Sequence, residues 1–457
     1  MKIQSINPST GELINEFEET EFEDIEKTIV KARLAQKKWS SKTKNQRINI
    51  LKNMKEKFII NKKKLIETIN KECGFDKEEV EATFYDVIDG FDHYIKNYNE
   101  KQNIDFTINQ EVFPDTTSNI KFYPHGVIAQ MGAWNYPLWQ TMITAIPALL
   151  TGNSIIYKPS EKSTKTGILI NEIINSTEDL PECVFNLVIG KPKVGEYIIK
   201  NKVDAVVYTG NIETGKKIIK IAETKPTILE LSGNDAAIVC SDCDINQTID
   251  GLVAGAFIHS GEVCDRIKRI YVVEEVSDKI IEGIVKKTES IKDKITPLIR
   301  KEALEKVDLQ VKKTVQDGGK ILIGGGKMKR KGFFYEPTLI KLKNNKAESV
   351  KNEIFGPVVS VLVVNSEEEA INLANEGKFG LGTSIWTQNF DKASEIANKC
   401  ESGIVWINDS NIPLVCGEYF KGWKSTSIPN SMDRLNMFMK SKTIISFNSN
   451  KKRDWWF

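Results

Sequence analysis

Short apolar runs alternate with helix-length segments from residue 126 onward, and this alternation limits the possible folds more than any other feature of the chain. Strand-length runs separated by helices predict parallel sheets that are covered by helices. The runs form two sets, at residues 126–130, 154–157, 183–188, 205–208 and 227–231, and at residues 236–239, 269–273, 320–323, 358–364, 383–386 and 404–407. We therefore predict an α/β protein with two parallel-sheet domains.

The domain limits follow from the gap between these two sets. We expect one domain from residues 1–104 and 123–231, and a second from residues 232–425. Apolar residues at helical spacing predict that the first hundred residues are helical, over residues 22–39, 44–62 and 77–98. Residues 105–122 and 438–457 lie outside both domains. We expect them to form a small β oligomerisation element, because strands without a core of their own are unfavourable on a monomer surface; a local hairpin is the alternative.

Composition narrows the partners and the compartment. The 457 residues carry 64 basic and 62 acidic side chains, a net charge of +2, so no strong field favours nucleic acid or an anionic membrane. The longest apolar run, near residues 142–150, is far shorter than the roughly 20 residues of a membrane span. Seven dispersed cysteines suit a reducing compartment, and we expect a cytoplasmic protein. Cys240 and Cys243 lack the further ligands that a zinc site needs, so no metal site is expected.

Three motifs carry side chains that could act on a carbonyl group. They are Trp134-Asn135-Tyr136-Pro137, Glu230-Leu231-Ser232-Gly233 and Ser260-Gly261-Glu262-Val263-Cys264. A thiol at Cys264 supplies a nucleophile, a carboxylate at Glu230 a general base, and an amide at Asn135 a donor to a developing oxyanion. A Cys–His hydrolase is the alternative, since His259 precedes Cys264 by five positions, but the sequence offers the histidine no orienting partner.

Two further motifs are suited to a dinucleotide. Lys158 and Glu161 end a predicted strand, where they can hydrogen-bond the adenine ribose, and we include Ser160 in the same site. Gly210 and Asn211 follow the next predicted strand but one and open a helix, whose N-terminus suits a diphosphate. A carboxylate at Glu161 would repel a 2′-phosphate, so NAD is preferred and NADP remains possible. The glycine-rich Gly324-Gly325-Gly326-Lys327 lacks the Ser or Thr of a phosphate-binding loop, and we predict a turn there.

In this order, the three motifs and Glu353-Ile354-Phe355-Gly356-Pro357 resemble the aldehyde dehydrogenase superfamily, and the resemblance covers essentially the whole chain. It implies two Rossmann-like domains and a homodimer or homotetramer. It also implies that Glu353 and Phe355 contact the nicotinamide ribose and ring, and we add Trp134 to the cofactor-binding residues.

The resemblance implies NAD-dependent oxidation of a small-molecule aldehyde to its acid, through a Cys264 thiohemiacetal and thioester. A glutamate at position 230 favours release by water, whereas relatives that transfer the acyl group to coenzyme A generally lack it. Three alternatives stay open: a succinate-semialdehyde dehydrogenase with a cationic clamp at Arg266, Lys268 or Arg269, a CoA-acylating semialdehyde dehydrogenase, and a non-catalytic NAD-binding protein.

Three positions and one segment depart from the pattern that is commonest in the family. Ser232 stands in place of a glycine, Asn211 in place of a serine and Glu262 in place of a glutamine. The segment 416–428 matches the glycine-rich stretch of the family only weakly, although in the family that stretch lines the substrate tunnel. The resemblance therefore gives the reaction class more firmly than the substrate.

Overall fold

The computed structural model describes residues 2–100, 104–412, 421–428, 434–453 and 455–456. The chain begins with an antiparallel hairpin that closes through a turn after Asn7, where the N–H of Gly11 donates to the carbonyl of Asn7. The sequence analysis missed this hairpin, whereas the helices that it predicted over residues 22–39, 44–62 and 77–98 are present. The hairpin strands are too short and too exposed for their alternation to stand out. The first elements are β1 (Lys2–Ile6), β2 (Leu13–Glu18), α1 (Phe22–Ser41), α2 (Lys44–Ile60), α3 (Lys62–Cys73), α4 (Lys77–Glu100), β3 (Ile104–Phe106) and β4 (Thr116–Pro124).

The first large sheet contains the five strands of the first predicted set. Its elements are β5 (Val127–Met131), α5 (Pro137–Leu150), β6 (Ser154–Lys158), α6 (Thr164–Asn175), β7 (Phe185–Leu187), α7 (Pro192–Lys200), β8 (Ala205–Thr209), α8 (Ile212–Ala222) and β9 (Thr227–Glu230). These five strands run parallel in the order β9-β8-β5-β6-β7. Alternate strand residues enter different cores, since Ile128 packs in one apolar cluster and Val127 and Ala129 in another.

The second large sheet has seven strands. Its elements are β10 (Asp235–Val239), α9 (Ile245–Phe257), β11 (Ile267–Val273), α10 (Glu274–Ser290), α11 (Lys301–Gln316), β12 (Lys320–Ile323), β13 (Thr338–Lys341), α12 (Glu348–Lys351), β14 (Val358–Val364), α13 (Glu367–Asn375), β15 (Gly382–Trp386), α14 (Phe390–Lys399) and β16 (Ile404–Ile407). The strand order is β12-β13-β14-β11-β10-β15-β16, and all neighbours are parallel except β12 with β13. The sequence analysis missed β13, a four-residue strand between polar segments.

The last elements join distant parts of the chain. They are β17 (Ser427–Ile428), α15 (Arg434–Met437) and β18 (Met439–Phe447). β17 adds an antiparallel edge to the first large sheet beside β9, so that sheet is not purely parallel. β18 pairs along its whole length with β4, which also pairs with β3. The segments that we expected to need partners from another subunit thus pair with each other in a three-stranded sheet.

This topology confirms the predicted α/β fold and places the candidate residues. Lys158 and Glu230 are the last residues of β6 and β9, so both lie at the carboxyl edge of the first large sheet, where ligands bind in such folds. Cys264 lies between α9 and β11, at the start of the second large sheet. None of the described helices is both long and apolar enough to span a membrane. We keep the division at residue 231 as a proposed domain limit.

Gly255 allows α9 to pack closely enough to lead into the Cys264 segment. A Cβ atom at Gly255 would lie 2.3 Å from the backbone oxygen of Ser410 and 2.8 Å from Ile267 Cδ1. We expect Gly255→Ala to reduce the free energy of unfolding by about 1–3 kcal/mol, because a backbone atom cannot move aside easily. Thermal melts measure this, with Gly326→Ala as the control, where the Cβ would meet only the mobile carboxylate of Glu336. Equal melting temperatures for the two variants would contradict the prediction.

Candidate active site

One cavity of about 850 Å³ brings together every residue that we predicted for the site. It lies at the carboxyl edge of the first large sheet and is closed on its other side by residues from the second half of the chain. The predicted residues on its wall are Trp134, Asn135, Lys158, Ser160, Glu161, Gly210, Asn211, Glu230, Cys264, Glu353 and Phe355. The sequence placed these residues in separate motifs, and the fold joins them in one site.

Cys264 is the thiol on the cavity wall, and a tight turn presents it. His259 and Ser260 adopt left-handed backbone angles at the end of α9, and Ser260 Oγ donates to the carbonyl of Thr296 at 2.5 Å. Burial raises the pKa of the half-buried Cys264 thiol well above its ordinary value, and the carboxylate of Asp265 adds to the rise. The thiol Sγ lies 3.5 Å from Asp265 Oδ1.

His259 does not support the Cys–His alternative. Its left-handed backbone conformation directs the buried ring onto the ring of Phe75, and the ring is not part of the cavity wall. Desolvation lowers the pKa of this imidazole well below its ordinary value. The Cys–His hydrolase hypothesis therefore lacks its base, because His259 does not line the cavity that contains Cys264.

Asn135 is held at the start of α5. Its side-chain Oδ1 and its backbone carbonyl both accept hydrogen bonds from Gln140 Nε2, at 3.2 and 2.8 Å. The next residue, Tyr136, adopts a left-handed conformation, and its hydroxyl donates to Glu79 Oε1 at 2.5 Å. Because Gln140 fixes the oxygen of the planar amide, the Nδ2 group of Asn135 points the opposite way as a donor.

Glu230 is a buried carboxylate opposite a cation that the sequence analysis did not identify. Burial raises the pKa of Glu230 to about 7, and the charge of Arg434 opposes that rise. Arg434 Nη2 lies 3.3 Å from Glu230 Oε1. Arg434 belongs to α15, 204 residues later in the chain, so no local sequence signal links the two residues. A carboxyl group with this pKa can accept and release a proton near neutral pH.

The edge of the first large sheet forms one part of the cavity wall. Lys158 Nζ donates to the carbonyls of Pro159 and Gly190, at 2.8 and 2.7 Å, and burial lowers its pKa to about 8. Asn211 Oδ1 accepts from the N–H of Thr214 at 2.8 Å, so it caps α8 as its sequence position allows. The N–H groups at this helix end suit a diphosphate, and the carboxylate of Glu161 on the same wall suits ribose hydroxyls, so the residues fit NAD.

Two aromatic side chains and a carboxylate lie elsewhere on the cavity wall. The rings of Trp134 and Phe355 meet edge to face with centroids 5.7 Å apart. Lys162, which the sequence analysis did not include, places its ammonium 5.1 Å from the ring of Trp134. Glu353 Oε1 lies 3.3 Å from Lys268 Nζ.

The structure rules out the cationic clamp that we considered after Cys264. Arg266 donates to the carbonyls of Ile354 and Gly356, both at 2.7 Å, and Arg269 donates to the carbonyl of Asn234 at 2.7 Å. Lys268 is buried against Glu353. All three cations are engaged inside the protein, because β11 is buried along its length and each charge needs internal partners.

Other sequence-based expectations lie away from this cavity. Residues 324–327 form the predicted loop between β12 and β13. Cys240 and Cys243 are buried, and the described residues contain no cluster of three or more metal-ligating side chains. Of the divergent segment 416–428, residues 416–420 lie outside the described residues, so our expectation for the substrate tunnel falls partly outside them.

Comparison with known proteins agrees with this geometry. The model of the aldehyde dehydrogenase family matches residues 1–444. Betaine aldehyde dehydrogenase of Bacillus subtilis is 33% identical over 94% of this chain and 91% of the relative, and that of Vibrio vulnificus is 31% identical over 88% and 85%. The crystal structure of betaine aldehyde dehydrogenase from Staphylococcus aureus in complex with NAD+ superposes with a TM-score of 0.95 at 31% identity, covering 100% of this chain and 93% of that one.

Together these matches confirm the resemblance that the motifs indicated, the α/β fold and NAD as cofactor. The chain belongs to the aldehyde dehydrogenase family and is an NAD(P)-dependent aldehyde oxidoreductase.

Proposed function

We propose that the protein oxidises an aldehyde to its carboxylic acid through a thioester on Cys264, with NAD as the oxidant and Glu230 as the base for hydrolysis. The observation that carries this proposal is the single cavity that contains Cys264, Glu230 and Asn135 together with Glu353 and Phe355. A nucleophile, a base and an amide donor at one site provide what covalent catalysis on a carbonyl requires.

In the first step the Cys264 sulfur attacks the aldehyde carbon and the thiol proton leaves to solvent. Burial raises the pKa of this thiol well above its ordinary value, so deprotonation accompanies attack. The thiohemiacetal oxygen carries negative charge, which Asn135 Nδ2 and the Cys264 N–H would stabilise. One such donor is typically worth about 3–4 kcal/mol.

In the second step the thiohemiacetal carbon loses hydride, and bound NAD supplies the acceptor for that hydride. The carbon then forms a thioester with Cys264. Glu230 removes a proton from water as the water oxygen bonds to the acyl carbon, the carbon–sulfur bond then breaks, and the Cys264 sulfur takes that proton from Glu230 as the acid leaves. Arg434 keeps part of the Glu230 population ionised by opposing the effect of burial on its pKa.

Water rather than coenzyme A is the proposed acyl acceptor, because a carboxyl group is available to activate it on the cavity wall. In the CoA-acylating alternative, Glu230 would have no catalytic role. In the non-catalytic alternative, Cys264, Glu230 and Asn135 would all have none. Both alternatives are therefore disfavoured by the same three side chains.

For the substrate we propose a small aldehyde that lacks an anionic distal group. The cations that could have clamped a carboxylate after Cys264 are engaged with internal oxygen atoms. Trp134 and Trp139 give the cavity aromatic surface, which attracts quaternary ammonium groups. The relatives from B. subtilis and V. vulnificus are betaine aldehyde dehydrogenases, so betaine aldehyde is the first substrate to test.

We also propose that the protein is a homodimer or homotetramer of the cytoplasm. The three-stranded sheet exposes the apolar side chains of Ile104, Phe106 and Ile445, and sheet edges of this kind favour pairing between subunits. The six cysteines in the described part of the chain are all free thiols, as expected in a reducing compartment.

The proposed function is tested by the initial rate of NADH formation with betaine aldehyde, acetaldehyde, a medium-chain aldehyde, benzaldehyde and succinic semialdehyde. We expect kcat/KM for betaine aldehyde to exceed that for succinic semialdehyde by at least about tenfold. A cation–π attraction of roughly 1.4 kcal/mol between the trimethylammonium group and the aromatic side chains gives this ratio. Added coenzyme A should leave the product unchanged. Cys264→Ala should be inactive, whereas Cys183→Ala, a cysteine away from the cavity, serves as the active control.

Failure of the whole panel with NAD bound would contradict the proposed oxidation. Preference for succinic semialdehyde would contradict the substrate class, and a CoA thioester as product would contradict the hydrolytic step.

The pH dependence of kcat should reflect Glu230. Burial raises its pKa to about 7, so it is mostly protonated below that pH and mostly ionised above it. A general base must be ionised, so kcat under hydrolysis-limited conditions should rise as pH increases through about 7. Glu230→Gln should lower kcat by about 100-fold or more and abolish this limb. An unchanged limb in Glu230→Gln would assign the titration to another group.

A further inference from the structure

Lys268 makes a set of contacts that neither neighbouring cation shares. Its side chain, which is 2% exposed, lies at the start of β11. The ammonium donates to the carbonyls of Val263 at 3.0 Å and Cys264 at 2.5 Å, and it lies 3.3 Å from Glu353 Oε1. The two carbonyls accept hydrogen bonds, whereas the contact with Glu353 Oε1 is an ion pair without a hydrogen bond.

We propose that Lys268 is a positioning residue that ties the backbone of the nucleophile to Glu353 through one buried ammonium. The inference rests on the proposed function, in which Cys264 attacks the substrate and Glu353 holds the nicotinamide ribose. Through this tie, Lys268 adds to the contacts that set the separation between Cys264, which would carry the aldehyde, and Glu353, which would hold the nicotinamide ribose.

The two arginines beside Lys268 show why this contact is not ordinary support of the strand. Arg266 donates to backbone carbonyls, and Arg269 donates to backbone carbonyls and the hydroxyl of Tyr271. Of these three cations, Lys268 is the one whose ion pair reaches a carboxylate on the cavity wall. The carbonyl of Cys264 is also packed from its other side, since a Cβ atom at Gly233 would lie 2.5 Å from it.

The charges around the sulfur give this tie a measurable signature. Asp265 beside the nucleophile, Glu353 on the cavity wall and Asp235 at the start of β10 all raise the pKa of the Cys264 thiol, in addition to burial. Lys268 lowers it. The phenol of Tyr136, before α5, also interacts electrostatically with this thiol. Removal of the Lys268 charge and removal of the Glu353 charge should therefore shift the pKa of the Cys264 thiol in opposite directions.

The test measures the rate at which iodoacetamide alkylates Cys264 as a function of pH in the full-length protein without substrate, with peptide mass spectrometry to read Cys264 separately. Lys268→Met should raise the thiol pKa and so slow alkylation about tenfold at pH values below that pKa. Glu353→Gln should lower the thiol pKa and speed alkylation. Lys268→Arg, which keeps the charge but has a different shape, should fall between wild type and Lys268→Met.

A second readout separates positioning from general loss of structure. Lys268→Met should raise the dissociation constant for NAD+ about tenfold. Without the ammonium of Lys268, the carboxylate of Glu353 loses its charged partner and is no longer held in position to bind the nicotinamide ribose. AMP lacks the nicotinamide ribose, so it should bind the wild-type protein and Lys268→Met with equal dissociation constants.

Unchanged alkylation profiles, or shifts in the same direction for Lys268→Met and Glu353→Gln, would overturn the proposal. If Lys268→Met fails to fold by circular dichroism, Glu353→Gln and Lys268→Arg decide the matter by the same criteria. Failure of the proposed function would appear separately, as wild-type protein that forms no NADH in the aldehyde panel while these alkylation shifts persist.

Discussion

The buried guanidinium of Arg266 joins the three backbone segments on which the site depends. It donates to the carbonyl of Gly261 in the nucleophile turn, to that of Ile267 in β11, and to those of Ile354, Gly356 and Val358 in the segment after α12. A Cβ atom at Gly261 would lie 2.1 Å from the oxygen of Gly356, so the turn and the segment are in direct contact. An unpartnered buried cation would be very costly, so these carbonyls and the cation hold one another in place. This arrangement holds the segments that carry Cys264 and Glu353 next to each other.

Burial also determines the chemistry. The cavity raises the pKa of both the Cys264 thiol and the Glu230 carboxyl, so neither group is fully ionised near neutral pH. Two cations from different parts of the chain oppose this effect: Lys268 lowers the pKa of the thiol, and Arg434 lowers the pKa of Glu230. The site thus combines a poorly solvated nucleophile with fixed charges close to it, an arrangement that strengthens electrostatic interactions with a developing oxyanion.

The sequence predicted those parts of the fold that depend on local periodicity. Most strands of both large sheets and the helices between them follow from alternating apolar runs, and the predicted cavity residues follow from the six motifs. The sequence analysis missed the hairpin β1–β2 and the strands β13 and β17, which are short, and it also missed the helix α3. The sequence analysis also missed the roles of two buried cations, Arg434 and Lys268. Arg434 pairs with Glu230 although 204 residues separate them, and the sequence around Lys268 does not distinguish it from other lysines beside strands. Contacts that depend on tertiary placement leave no local trace, which is also why the cationic clamp was a reasonable but incorrect expectation.

The most direct test of the account is the intact mass of the Glu230→Gln protein after it is mixed with NAD+ and betaine aldehyde. The account predicts one equivalent of NADH and a mass increase equal to one acyl group, located on the peptide that contains Cys264, because the thioester forms but water is not activated to hydrolyse it. Cys264→Ala should show neither change. Formation of NADH by Glu230→Gln without any adduct, or an adduct on a different cysteine, would contradict the central claim that Cys264 carries the acyl group and Glu230 promotes its release.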